Sequence, residues 1–133
     1  MNKIEHIGIA VQSLDISIPL FEKLLNQKCY KIEEVAQEHV KTAFFFDKQS
    51  KIELVAATDP ASPIAKFLEK KGEGIHHIAF DVDDIEAEMK RLVSEGFVLL
   101  NEVPKKGADN KLVCFLHPKQ TNGVLIELCQ EIK

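Results

Sequence analysis

Four residues of this 133-residue chain have the types and spacing to hold a divalent metal: His6, Glu53, His77 and Glu127. His6 opens the run His6-Ile7-Gly8-Ile9-Ala10-Val11, and His77 opens His77-Ile78-Ala79-Phe80-Asp81-Val82. Each is answered by a glutamate in an apolar run, at intervals of 53 − 6 = 47 and 127 − 77 = 50 residues. Strand alternation puts Glu127 on one face with Leu125 and Cys129, where an unpaired carboxylate would cost several kcal/mol or lose its charge. A metal relieves that cost. Glu53 shares its face with Lys51, which offers an alternative partner. Alternation also separates two adjacent histidines: His76 falls with Ile78, Phe80 and Val82, whereas His77 falls with Ala79 and Asp81, as free of bulk as the His6 face. Two neutral imidazoles and two carboxylates suit cobalt, manganese, nickel or zinc, unlike the thiolate set of a structural zinc. In six-coordinate geometry two places stay open, enough to chelate a substrate through two oxygens.

The elements that must position these residues follow from periodicity. Residues 4–11 alternate as a strand, with Ile7, Ile9 and Val11 opposite His6, Gly8 and Ala10. Residues 13–26 read as a helix with Leu20, Phe21, Leu24 and Leu25 on its apolar stripe; Pro19 is acceptable only near a first turn, which makes Ser17 a candidate cap. Three strands follow at about residues 29–35, 40–47 and 51–57. Ser62-Pro63 is a cap with proline at the first helical position, Ile64, Phe67 and Leu68 form a stripe, Lys70 and Lys71 suit the C-terminal dipole and Gly72 stops a short bridging helix. The second half repeats the order: a strand at 75–82, a helix at 84–95 with Asp83 and Glu86 as a capping box and Ile85, Met89, Leu92 and Val93 inward, then strands at about 98–103, 111–117 and 124–130. A βαβββ unit thus occurs twice, each too small to fold well alone. The expected fold class is α+β, with two βαβββ modules paired around a metal-binding cleft. One domain spans 1–133, with module 1 at about 3–57, the bridging helix at about 62–71 and module 2 at about 75–131.

Bulk properties narrow the partners. A content of 45% hydrophobic and 29% charged residues is that of a soluble globular protein, and no apolar run is long enough for a membrane span. The net charge of −4 argues against nucleic acid, although a local cluster of lysines can serve a small anionic ligand. Met1-Asn2-Lys3 leads straight into the first strand pattern, so neither a signal peptide nor a transit segment is expected, and the expected address is the cytoplasm. Cys29, Cys114 and Cys129 are odd in number, widely spaced and expected to be reduced core thiols.

These residues carry a family resemblance over nearly the whole chain. His6-Ile7-Gly8-Ile9-Ala10-Val11, Lys51-Ile52-Glu53-Leu54, Ser62-Pro63-Ile64-Ala65-Lys66-Phe67-Leu68, Gly74-Ile75-His76-His77-Ile78-Ala79, Asp83-Asp84-Ile85, Phe115-Leu116-His117-Pro118-Lys119 and Gly123-Val124-Leu125-Ile126-Glu127-Leu128 resemble the vicinal oxygen chelate (glyoxalase-like) superfamily, and within it the methylmalonyl-CoA epimerases. The resemblance implies metal positions at His6, Glu53, His77 and Glu127, with glutamine at the Glu53 position in some relatives. It implies a metal-dependent isomerase that interconverts the 2R and 2S forms of methylmalonyl-CoA through a metal-stabilised enolate, with Glu127 as the catalytic base. It also implies a homodimer. Some family members carry a second catalytic glutamate where this chain has Thr42, and the family's Pro-Glu-x-Gly turn here reads Ala36-Gln37-Glu38-His39, so water, Glu38 or His39 are open candidates for the second proton transfer. Lys105, Lys106 and Lys119 are candidate partners for the phosphates of coenzyme A. Two other functions fit the scaffold: a glyoxalase-type lyase acting on a glutathione hemithioacetal, and a metal-free small-molecule binding module. An extradiol dioxygenase fits less well, because Glu53 would be a fourth ligand where three are wanted.

Overall fold

The computed structural model describes every residue of the chain except Gln49. It divides into two compact units, residues 6–76, and residues 1–5 together with 77–133. Both mix strands and helices, so the fold is α+β.

The first unit contains β1 (Ile4–Ala10, from His6 onward), α1 (Leu14–Leu25), β2 (Lys31–Val35), β3 (Val40–Phe45), β4 (Lys51–Ala57) and α2 (Pro63–Lys71). Its strands pair in the order β2-β3-β4-β1, antiparallel except for the parallel β4-β1 pair. Helix α1 starts earlier than the proline suggests. Ser13 is the N-cap, its hydroxyl accepting from the Ile16 N–H at 3.4 Å, and Pro19 lies inside the helix. Only the bond to the Asp15 carbonyl is lost, and both residues are exposed, so water can serve that oxygen. Ser17 is buried and is not the cap. The core stripe also differs from expectation: Phe21 and Leu25, with Leu14 and Ile18, pack against Ala43, Phe45 and Leu54, whereas Leu20 and Leu24 are exposed. Positions 14, 18, 21 and 25 recur at helical spacing and describe a single face, which residues 20 and 24 leave. Helix α2 keeps its expected punctuation: Ser62 accepts from the Ile64 N–H at 3.0 Å, Pro63 opens the helix, and Gly72 closes it at φ 78°.

The second unit contains β5 (Gly74–Asp81, from His77 onward), α3 (Ile85–Ser94), β6 (Lys105–Lys106), β7 (Lys111–Leu116) and β8 (Ile126–Glu131). Its strands pair in the order β5-β8-β7-β6, with β5-β8 parallel and the rest antiparallel. Ile85, Met89 and Leu92 of α3 pack on Cys114, Leu116 and Leu128, while Val93 turns outward. The cap of α3 is Asp84, which accepts from the Ala87 N–H at 3.1 Å. Asp83, the expected cap, instead accepts from the Asn2 side chain at 3.0 Å.

The strand expected at residues 98–103 is reduced to an isolated bridge, Leu99 to Leu116, and the short β6 forms later. The cause is Asn101, whose side chain imitates a backbone partner. Its Oδ1 accepts from the Phe115 N–H at 3.0 Å and its Nδ2 donates to the Val113 carbonyl at 3.2 Å. A side chain that takes over two bonds along β7 removes the need for a continuous strand there.

Candidate metal centre

Each unit positions one histidine and one glutamate on the face of neighbouring strands. In the first unit, β1 and β4 run in parallel register with His6 beside Lys51 and Gly8 beside Glu53. Side chains two residues apart share a face. His6 therefore reaches across to Glu53, its Nε2 lying 3.4 Å from Oε1. Both residues are buried, as is Lys51. The face continues onto β3, where Phe44 stands beside Glu53 and Thr42 beside Val55. Thr42 is 1% exposed, and its hydroxyl donates to the Glu33 carbonyl at 3.2 Å. The turn before it, Ala36–Glu38, ends with His39 in the left-handed region at φ 55°.

In the second unit, β5 and β8 run in parallel register with Ala79 beside Glu127. His77 Nε2 lies 3.3 Å from Glu127 Oε1, and both side chains are buried. His76 points elsewhere: its ring meets Phe67 of α2 edge-on at 4.9 Å. Phe115 on β7 stands opposite Glu127 and meets the His77 ring edge-on at 6.2 Å, with the Lys105 ammonium 5.8 Å from the Phe115 centroid. These contacts hold the imidazole between an aromatic edge and a carboxylate.

The pairs are alike in chemistry. Each presents an imidazole Nε2 and a carboxylate Oε1 together in a buried setting, the nitrogen and oxygen donors that borderline divalent ions favour. No thiolate lies in either pair. The donor types of each pair, one imidazole nitrogen with one carboxylate oxygen, suit a divalent metal.

Two residues at this face escaped the sequence reading. The Cys129 thiol donates to Glu127 Oε2 at 2.9 Å. Its signal was its place two residues beyond Glu127, but a cysteine among apolar neighbours reads as core. Phe115 is the other, since its pairing with His77 depends on register across three strands. The remaining cysteines are structural: burial pushes the Cys114 thiol upward from its ordinary range, and the backbone of Cys29 is held by the Glu22 carboxylate at 3.0 Å.

The lysines proposed for phosphate lie on the surface of the second unit. Lys105 and Lys106 form β6, and exposed Lys119 sits in a 3-10 turn, Pro118–Gln120, with its N–H donated to His117 Nδ1 at 3.1 Å. Among the described residues no helix is long and apolar enough to cross a membrane.

The profile of the Glyoxalase/Bleomycin resistance protein/Dioxygenase superfamily matches residues 5–115. An ethylmalonyl-CoA/methylmalonyl-CoA epimerase from Cereibacter sphaeroides is 39% identical over 132 residues, covering 98% of either chain. The crystal structure of methylmalonyl-CoA epimerase from Mycobacterium tuberculosis superposes with a TM-score of 0.93 at 35% identity, over 98% of this chain and 89% of that one. A methylmalonyl-CoA epimerase solved with methylmalonyl-CoA and NH4+ superposes equally well, with a TM-score of 0.93 at 31% identity, over 98% of this chain and 95% of that one. Sequence and fold agree over nearly the full length: the chain belongs to the Glyoxalase/Bleomycin resistance protein/Dioxygenase superfamily and, within it, to the family of the methylmalonyl-CoA epimerases.

Proposed function

We propose that the chain is a metal-dependent methylmalonyl-CoA epimerase, with His6, Glu53, His77 and Glu127 serving one divalent ion and Glu127 moving the proton. The observation that carries this reading is the setting of Glu127. It is a buried carboxylate with Oε1 against His77 and Oε2 against a thiol, in a chain whose relatives are named for this reaction. Bound to these residues, a divalent ion supplies Lewis-acid chemistry, favouring negative charge on the substrate's oxygens. The protein's own part is proton transfer. The C2 hydrogen of methylmalonyl-CoA lies between a thioester and a carboxylate; when Glu127 accepts that proton, the C–H electron pair moves onto the thioester oxygen as an enolate. Inversion requires a proton delivered to the opposite face.

Thr42 is a poor source for that proton. An alcohol is too weakly acidic, and this hydroxyl is already given to the Glu33 carbonyl. Water, Glu38 and His39 remain the candidates for the return step. Lys105, Lys106 and Lys119 are assigned to the phosphates of coenzyme A. The chain acts as one domain, as a cytoplasmic homodimer.

The decisive experiment is solvent exchange. Metal-loaded protein incubated with methylmalonyl-CoA in deuterium oxide is expected to place deuterium at C2. No incorporation with cobalt, manganese, nickel or zinc would end the epimerase reading, and turnover of a glutathione hemithioacetal instead would assign a lyase.

A further inference from the structure

We propose that Cys129 is a positioning residue for Glu127: its thiol holds Oε2 and thereby presents Oε1 as the working oxygen. The inference rests on the proposed role of Glu127 and adds a residue to it. A carboxylate is two-fold about its last torsion, which is broad, so a glutamate held at one oxygen can still swing its plane. Here the second oxygen is held as well. Cys129 Sγ donates to Oε2 at 2.9 Å while His77 Nε2 lies 3.3 Å from Oε1. The sulfur cannot drift, because Cys129 is 0% exposed and packed with Ala79, Val113 and Phe115.

A thiol suits this task. It is a weak donor, so it fixes the plane of the carboxylate while drawing less on its electron density than an amide or guanidinium would. The molecule also contains its own comparison. The residue two places beyond Glu53 is Val55, buried at 4% exposure and without any side-chain donor. Both glutamates are assigned to the metal, and the thiol stands on the one assigned to move a proton.

The test uses three variants of the full chain. Cys129→Ala and Cys129→Val remove the donor, the second keeping most of the bulk; Cys129→Ser restores a donor. Cobalt affinity, the visible spectrum of the cobalt-loaded protein, thermal midpoint, and kcat and KM for deuterium exchange are measured for each. The Ala and Val forms are expected to lose about tenfold in kcat with KM within about twofold, in the range typical of partners that orient a metal ligand. Their cobalt spectra are expected to shift, and the Ser form to regain most of the kcat and the wild-type spectrum. Equal losses in Ser and Ala, or a donor-less variant that keeps full kcat, would overturn the assignment. Failure of the underlying reading is distinguishable, because the wild-type protein itself would then neither bind cobalt nor exchange the proton.

Discussion

Glu127 and His76 make the sharpest contrast at the scale of single residues, because each sits beside His77 in space or in sequence while facing different surroundings. Glu127→Gln removes the proton acceptor and keeps the shape, so exchange at C2 is expected to fall about a thousandfold. His76→Gln loses the ring contact with Phe67 and is expected to stay within about threefold of wild type. Equal losses in the two variants would place the working histidine wrongly. Thr42→Ala is expected to be mild in activity, within about threefold, and to cost about 1 kcal/mol for its buried hydrogen bond, read from denaturant midpoints. Parity made much of this visible beforehand. In a strand the side-chain period is two, so residues 77, 79, 127 and 129 were bound to share faces once the strands were recognised. What parity could not supply was the partner of a partner: whether Cys129 packs or donates depends on a sulfur-to-oxygen distance that no spacing encodes.

The helices and turns show where local chemistry was decisive and where tertiary structure overrode it. Helix α2 was readable to the residue because cap, proline and glycine all agree. Helix α1 was not, since the apolar residues of 13–26 lie on two faces and only packing against Ala43, Phe45 and Leu54 chooses between them. The segment at 98–103 has strand composition, yet Asn101 satisfies β7 with its side chain and leaves a bridge where a ladder was expected. The turn at 36–39 carries a further consequence. His39 occupies the left-handed region at φ 55°, where a Cβ costs about 1–2 kcal/mol. His39→Gly removes that strain while adding freedom to the unfolded chain, and a net gain of about 0.5–1 kcal/mol is expected in urea melts. A loss of stability would show that the His39 side chain earns its place through contacts.

At the scale of the molecule, the repeat was the most legible feature, because two histidine-led strands and two glutamate strands recur at nearly equal intervals. The tie between the N-terminus and α3 was not. The Met1 ammonium approaches Glu88 Oε2 at 3.1 Å, and Glu88 is also bonded to Arg91. Arg91 first, and the ammonium after it, hold the Glu88 carboxyl below its usual range. A carboxyl depressed in the folded state stabilises fully above its unfolded pKa, and the contribution is lost as the pH falls through the folded value. The difference in thermal midpoint between wild type and Glu88→Gln is therefore expected to be constant between about pH 5 and about pH 7 and to close at more acidic pH. A gap that persists in acid would assign the effect to packing.

The outward face of α1 has a consequence for how the protein behaves in concentrated salt. Ile16, Leu20 and Leu24 are 73%, 58% and 69% exposed and follow one another at intervals of four residues, forming an apolar line along one helix. Sulfate is excluded from protein surfaces and raises the free energy of wetting such a line, which makes precipitation sensitive to a few side chains. Ammonium sulfate is expected to precipitate the Leu20→Gln, Leu24→Gln double variant only at a higher concentration than wild type, and a phenyl column to release it earlier. An unchanged solubility curve would mean that these leucines are already covered when the protein is in solution.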